Sequence, residues 1–222
     1  MLAAKEPGNR TNPITWSAKL RLRSLAAIPQ RLNQPFDDRF DGQVHGKPAT
    51  IASCTDYLRL SPEAFKLSNE TESGVLQSYA VDCVALDMLR RATPARTNFI
   101  GAFPLTADSL SMLPPELAPA VSHEQQAAAS TANAAGKSWA AFQPGATAKT
   151  VDENQIVVTQ GDWRVKITEY ACGDFDGDGF QDLLARADYA ATRGTYGNTK
   201  LFLLGRKRAA ERLRCEKKIT IR

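Results

Sequence analysis

The sequence predicts an α+β fold in which a helix-rich N-terminal part is followed by a small antiparallel β-sheet carrying one acidic hairpin loop. Three observations predict it. Apolar residues recur at helical spacing over Ser73 to Arg91, the pattern turns to alternation after Gln143-Pro144-Gly145, and a string dense in Asp and Gly at 174–182 interrupts the alternating part. With 222 residues, 43% of them hydrophobic and 23% charged, the chain suits one large globular domain or two small ones. These signals divide it into an extended arm over 1–45, a helix-rich part over 46–145 and an antiparallel β part over 146–222.

Residues 1–45 are rich in Pro, Asn, Arg and Gln, with only short apolar runs such as Leu25 to Ile28, so they read as an arm packed in places. In Ser61-Pro62-Glu63 a capping serine precedes a proline at the first helical position and an acid in the first turn. That predicts a short helix ending near Ser68. From Ser73 to Arg91, the side chains of Leu76, Tyr79, Ala80, Cys83, Leu86 and Leu89 recur at helical spacing. Arg90 and Arg91 close that helix where its dipole favours cations.

Proline density over Leu113 to Pro119 forbids regular structure. Gln125 to Ala135, ending at Gly136, has good helix propensity but few large side chains; it is an exposed helix or a mobile segment, and propensity favours the helix. Ile156 to Thr159 reads as a strand and Gln160-Gly161-Asp162 as a turn. Trp163, Val165 and Ile167 then alternate with Arg164, Lys166 and Thr168 as a half-buried partner strand, and Leu183 to Ala187 and Leu201 to Leu204 supply two more.

No run approaches the roughly 18 apolar residues of a membrane helix, since Val75 to Leu89 is broken by Gln77, Asp82 and Asp87. Met1 to Lys5 lacks the basic and apolar regions of a secretory signal, so a signal, if there was one, has already been removed. The four cysteines lack Cys-x-x-Cys metal spacing and read as two bridges, Cys54 to Cys83 and Cys172 to Cys215, hence an oxidising compartment; four reduced thiols are the alternative.

The string Cys172-Gly173-Asp174-Phe175-Asp176-Gly177-Asp178-Gly179-Phe180-Gln181-Asp182 carries the chemistry. Asp174, Asp176 and Asp178 alternate along a tight loop and can aim carboxylates at one centre. Calcium takes about six to eight oxygens, and these three with the Phe180 carbonyl and Asp182 approach that number. Gly179 stands where such a loop turns sharply and a Cβ would obstruct it. Four carboxylates without a cation repel one another, so binding and local order should be coupled.

An EF-hand places Glu at the twelfth loop position, where this chain has Ala185, and the flanks read as strands. The string, followed by Gly194-Thr195-Tyr196-Gly197, resembles the FG-GAP or VCBS-type calcium loop, in which the loop joins two strands and a ninth-position Asp, here Asp182, closes the coordination. The resemblance covers about residues 170–205 and occurs once, which argues against a propeller of repeats. It implies Ca2+ bound through Asp174, Asp176, Asp178, Phe180 and Asp182, and an extracytoplasmic site, because free cytosolic calcium is scarce.

His45 and His123 sit in no catalytic motif and read as ordinary surface histidines. The tail from Lys200 to Arg222 is basic, which reads as a solvated strand face, with an acidic protein surface or envelope phosphate as the sharper alternative, and no nucleic-acid module accompanies it. The chain is similar to Gram-negative periplasmic immunity or inhibitor proteins with a solitary calcium loop. That similarity implies a non-enzymatic, periplasmic partner of a cognate bacterial effector or toxin, which it neutralises by protein–protein contact. An envelope adhesion or carbohydrate-binding module and a carboxylate-dependent hydrolase are the alternatives.

Overall fold

In Leu201-Phe202-Leu203-Leu204 every side chain is buried, Phe202 and Leu204 among one set of core residues and Leu201 and Leu203 among another. A strand buried on both faces belongs to a middle layer. A computed structural model describes residues 12–60, 65–101, 105–219 and 221, and that layer is its largest feature.

In chain order the elements are β1 (Thr15–Trp16), α1 (Ile28–Asn33), β2 (Pro35–Val44), β3 (Lys47–Ser53), α2 (Cys54–Arg59), β4 (Phe65–Leu67), α3 (Ser73–Arg91), α4 (His123–Ala134) and α5 (Trp139–Phe142). Strands β5 (Thr147–Asp152), β6 (Gln155–Gln160), β7 (Trp163–Gly173), β8 (Asp182–Ala191), β9 (Gly197–Gly205) and β10 (Arg214–Ile219) follow. The main sheet has seven strands in the order β10-β9-β8-β7-β6-β5, all antiparallel, with β1 added to β7 at Thr15–Cys172 and Trp16–Ala171. A second sheet, β3-β2-β4, has three strands.

On one face of the main sheet Ile156, Val165, Leu183 and Phe202 pack with Trp139, Leu113 and Leu117. On the other, Tyr170, Leu184 and Leu203 meet the buried side of α3, through Val81, Leu86 and Leu89, and the small sheet, through Phe40 and Ile51. Each face therefore excludes water from its own layer, which supplies the main driving force for the arrangement.

The expected fold class is corrected by this architecture. The chain is mostly β, with a large sheet and a second sheet near its N-terminus, and not a helix-rich part followed by a small sheet. The stretch read as an arm includes β1, α1 and β2 and buries Leu20, Ile28, Leu32 and Phe40. Polar strand sequence is the reason: β2 reads Pro-Phe-Asp-Asp-Arg-Phe-Asp-Gly-Gln-Val and buries only Phe40 and Gly42, so it has no clean alternation. Of the helix expected from Ser61 to Ser68, Ser61-Pro62-Glu63 lies outside the described residues, and Phe65–Leu67 pairs with β2 as a strand instead. The α3 boundaries match the sequence pattern.

Cys54 and Cys83 form a disulfide with their Cα atoms 5.0 Å apart, tying α2 to α3. Cys172 and Cys215 are free, which corrects the second expected bridge. They lie on β7 and β10 with β8 and β9 between, and three strand spacings amount to roughly 14 Å, too far for a bridge. Replacing both Cys54 and Cys83 by Ser lowers the unfolding free energy by about 3.5 kcal/mol, the loop entropy of a crosslink of this span, as a urea melt will show. An unchanged midpoint would mean that the bridge does not constrain the unfolded chain.

Candidate metal centre

The loop Asp174–Gln181 joins β7 to β8, two central strands, and Gly173 pairs with Asp182 to close it. Its backbone is organised by its own carboxylates. Asp174 Oδ1 accepts from Gly177 N at 2.7 Å and Oδ2 from Gly179 N at 2.9 Å; Asp176 Oδ1 accepts from Asp178 N at 3.1 Å; Asp178 Oδ1 accepts from Phe180 N at 2.8 Å. Asp182 Oδ2 reaches back across the loop to accept from Phe175 N at 3.0 Å. Gly179 has φ +88°, and a Cβ there would also meet the Arg96 guanidinium at 2.8 Å, so the sharp turn expected at this residue is present.

Asp174, Asp176 and Asp182 offer carboxylate oxygens that all lie within 4.8 Å of one another. Asp174 and Asp182 are buried, Asp182 completely, whereas Asp176 is exposed. Asp178 stands apart from this group and pairs with Lys207, whose ammonium also lies 5.0 Å over the Phe180 ring. The Phe180 ring stacks on Phe99.

Asp182 tests whether a cation fits. Its Oδ1 is buried with no hydrogen-bond partner among the described residues. Burial first, then the charges of Asp176, Asp174 and Glu216, push this carboxyl up to about 7 against the Phe175 hydrogen bond that lowers it. A wholly buried carboxylate with an unused oxygen, crowded by others, lacks a counter-charge, and a hard cation supplies one. Asp174, Asp176 and Asp182 would hold it, and the residues present fit.

What clamps the loop has no signature in the sequence. The segment 93–97, directly after α3, lies along it: Thr93 and Asp174 exchange backbone hydrogen bonds at 3.0 and 2.9 Å, Arg96 N and Thr97 N both donate to Gly179 O, and Gln181 N donates to Thr97 O. Thr93 and Asp174 are far apart in the chain, and no short motif carries such a contact. Glu216 on β10 was also missed; it acts on Asp182 through charge alone.

Neither free thiol is poised as a nucleophile. Burial, with Glu169 beside Cys172 and with Glu116 and Glu216 beside Cys215, pushes both up to about 12, far from the thiolate. Glu116 itself is raised by burial to about 7, against the pull of the Asn133 side chain, and its Oε2 is buried without a partner among the described residues. Between about 4.5 and about 7 the folded chain therefore holds a proton that the unfolded chain has lost, and stability falls as pH rises through that window. Glu116→Gln should flatten this part of the stability–pH curve, measured by urea melts at steps of pH.

The FG-GAP repeat family model matches residues 171–204, which run from the end of β7 through the loop and β8 into β9. Curated relatives include the tRNA modification GTPase MnmE of Lactococcus lactis subsp. cremoris, strains MG1363 and SK11, and of subsp. lactis strain IL1403. Each is 31% identical over 71 residues, or 32% of this chain. The chain spans 15% of the length of these relatives. No solved structure matches it significantly. No helix among the described residues is long and apolar enough to cross a membrane.

Proposed function

We propose that the chain is a calcium-stabilised binding protein of an oxidising compartment, the periplasm, that docks on a secreted effector protein and neutralises it. The observation that carries the calcium reading is Asp182: fully buried, one oxygen unpartnered, beside Asp174 and Asp176. The FG-GAP match over the same residues supports it, and so does the oxygen-only donor set, which suits a hard cation. The Cys54–Cys83 bridge supports the compartment. Docking is favoured by a surface fixed before contact: the loop is clamped by residues 93–97, so little ordering entropy is lost on binding.

Calorimetric titration of chelator-stripped protein tests the metal. One calcium should bind, and Asp176→Ala should weaken it by at least roughly tenfold, the loss expected for one charged oxygen ligand. No heat with the native chain would sink the reading. For the partner, inhibition of a co-secreted effector that disappears with chelator is the expected outcome, and failure to bind any such effector counts against it.

A second reading, glycan binding, is favoured by one feature. Beside the loop a cleft of about 450 Å³ is lined by Asn12, Asn98, Asn154, Glu153, Glu169 and Gln181, amides and carboxylates that suit sugar hydroxyls. Glycan-array binding lost with chelator would support it. GTP hydrolysis of the kind named for the relatives is not proposed. Gly136-Lys137-Ser138 resembles the end of a phosphate loop, but it follows α4 where that loop follows a strand, and Thr131 stands in place of its first glycine.

A further inference from the structure

Arg21 adopts a left-handed backbone, φ 52° and ψ 39°, which an exposed turn ordinarily gives to glycine or asparagine. The turn is fixed from several sides. Ser17 caps the 3-10 turn Ala18–Leu20, Arg21 N donates to Ala18 O at 2.9 Å, Leu20 is buried, and the Trp16 indole donates to Leu22 O at 3.1 Å. Strain retained in a fixed turn points to a use for the side chain.

That side chain lines a cleft of about 660 Å³ between the turn and α1, together with Arg23, Arg31, Gln30 and Gln34, and none of the described residues that line it is acidic. None of the three arginines has an ion pair within 4 Å among the described residues, and Arg31 Nε is buried with no hydrogen-bond partner there. Arg31 NH1 donates to Gln34 Oε1 at 2.8 Å. Arg31 feels the Asp82 carboxylate of α3 at longer range, without an ion pair within 4 Å among the described residues. Guanidinium groups gathered at one cavity, with amide donors beside them, match a tetrahedral oxyanion that several donors can share; a carboxylate offers only two oxygens.

We propose that this cleft binds a phosphate group through Arg21, Arg23 and Arg31. The proposal is independent of the calcium loop. The phosphate belongs to a soluble phosphomonoester or to a lipid headgroup, and one experiment separates the two. The full chain is titrated with inorganic phosphate at constant ionic strength, with calcium kept low enough to stay in solution and chloride as the reference anion. Vesicles of phosphatidylcholine, with and without phosphatidylglycerol, are assayed in parallel.

Saturable phosphate binding is expected, weakened roughly tenfold in Arg31→Gln and also weakened in Arg31→Lys, which keeps the charge but loses the fork. Arg21→Gly should weaken binding while raising the melting temperature, because it removes both the charge and the backbone strain, so a misfolded variant cannot imitate the result. Arg208→Gln, a basic residue away from the cleft, should change nothing. Binding to phosphatidylglycerol vesicles without binding to free phosphate assigns the site to a headgroup, and binding to free phosphate assigns it to a soluble ligand. Absence of binding to both, equal displacement by chloride, or equal loss in Arg208→Gln overturns the proposal.

Discussion

Calcium at a thousand times its dissociation constant should raise the melting temperature of the stripped protein by roughly 8–16 °C, and Asp182→Asn should abolish the rise. A ligand that binds only the folded chain adds about 4 kcal/mol at that excess, and a chain of this size moves by roughly 2–4 °C per kcal/mol. Asp182 is the informative position because its carboxylate is wholly buried with one oxygen unpartnered. Asparagine keeps the shape and the acceptor facing Phe175 N but removes the charge.

Without metal, the Asn variant should therefore melt above the native chain, since an uncompensated buried charge has gone. With metal the order should invert. Asp176→Ala, at an exposed position, should lose affinity with little change in the metal-free melt. Thermal scans of the three proteins with calcium and with chelator check all of this. Parallel shifts in every variant would show that calcium acts elsewhere on the molecule.

The loop was legible in sequence because its chemistry is local. Asp174, Asp176, Gly179 and Asp182 fall within nine residues, and the hydrogen bonds that shape the turn join neighbours two to seven residues apart. Asp178 reads as a ligand from its place in the alternating Asp series and from the FG-GAP resemblance; its carboxylate pairs with Lys207, a long-range contact that spacing does not encode. Strands β6 to β9 were legible for the same local reason, since β-branched and apolar residues alternate or run unbroken there. The N-terminal sheet was not, because β2 exposes most of its side chains, β3 fully buries only Ile51, and the two pair across the His45-Gly46 turn, where both residues have positive φ. The pairing of Cys172 with Cys215 failed because sequence order says nothing of how many strands separate two positions in a sheet.

Arg186 is where replacing one side chain should cost most. It lies on β8 with its side chain 15% exposed, facing α3. Its guanidinium donates through Nε to Asp188 Oδ1 at 2.7 Å, through NH1 to Tyr170 OH at 2.8 Å and to Asp82 Oδ1 at 3.2 Å, and through NH2 to Ser78 Oγ at 3.0 Å. Burial works against its charge, but Tyr170 and Asp188 more than offset that and hold its pKa above the ordinary value. Tyr170 OH also donates to Asp82 Oδ1 at 2.8 Å, so one cation binds two strands of the sheet to the long helix.

Arg186→Met keeps the apolar stem and removes every one of these donors, leaving Asp82 without its nearest cation and Asp188 with Lys166 and Thr199 alone. Breaking a buried pair from one side costs about 3–5 kcal/mol, so a fall in melting temperature of roughly 6–20 °C is expected. Asp82→Asn should cost much less. Burial already raises the Asp82 pKa, and the amide oxygen can still accept from Tyr170 and Arg186. In the double variant the cost of Arg186→Met should shrink, because no carboxylate is then stranded at position 82. A fully additive cycle would show that Arg186 stabilises the layer through Asp188 and Tyr170 and that its contact with the helix contributes nothing.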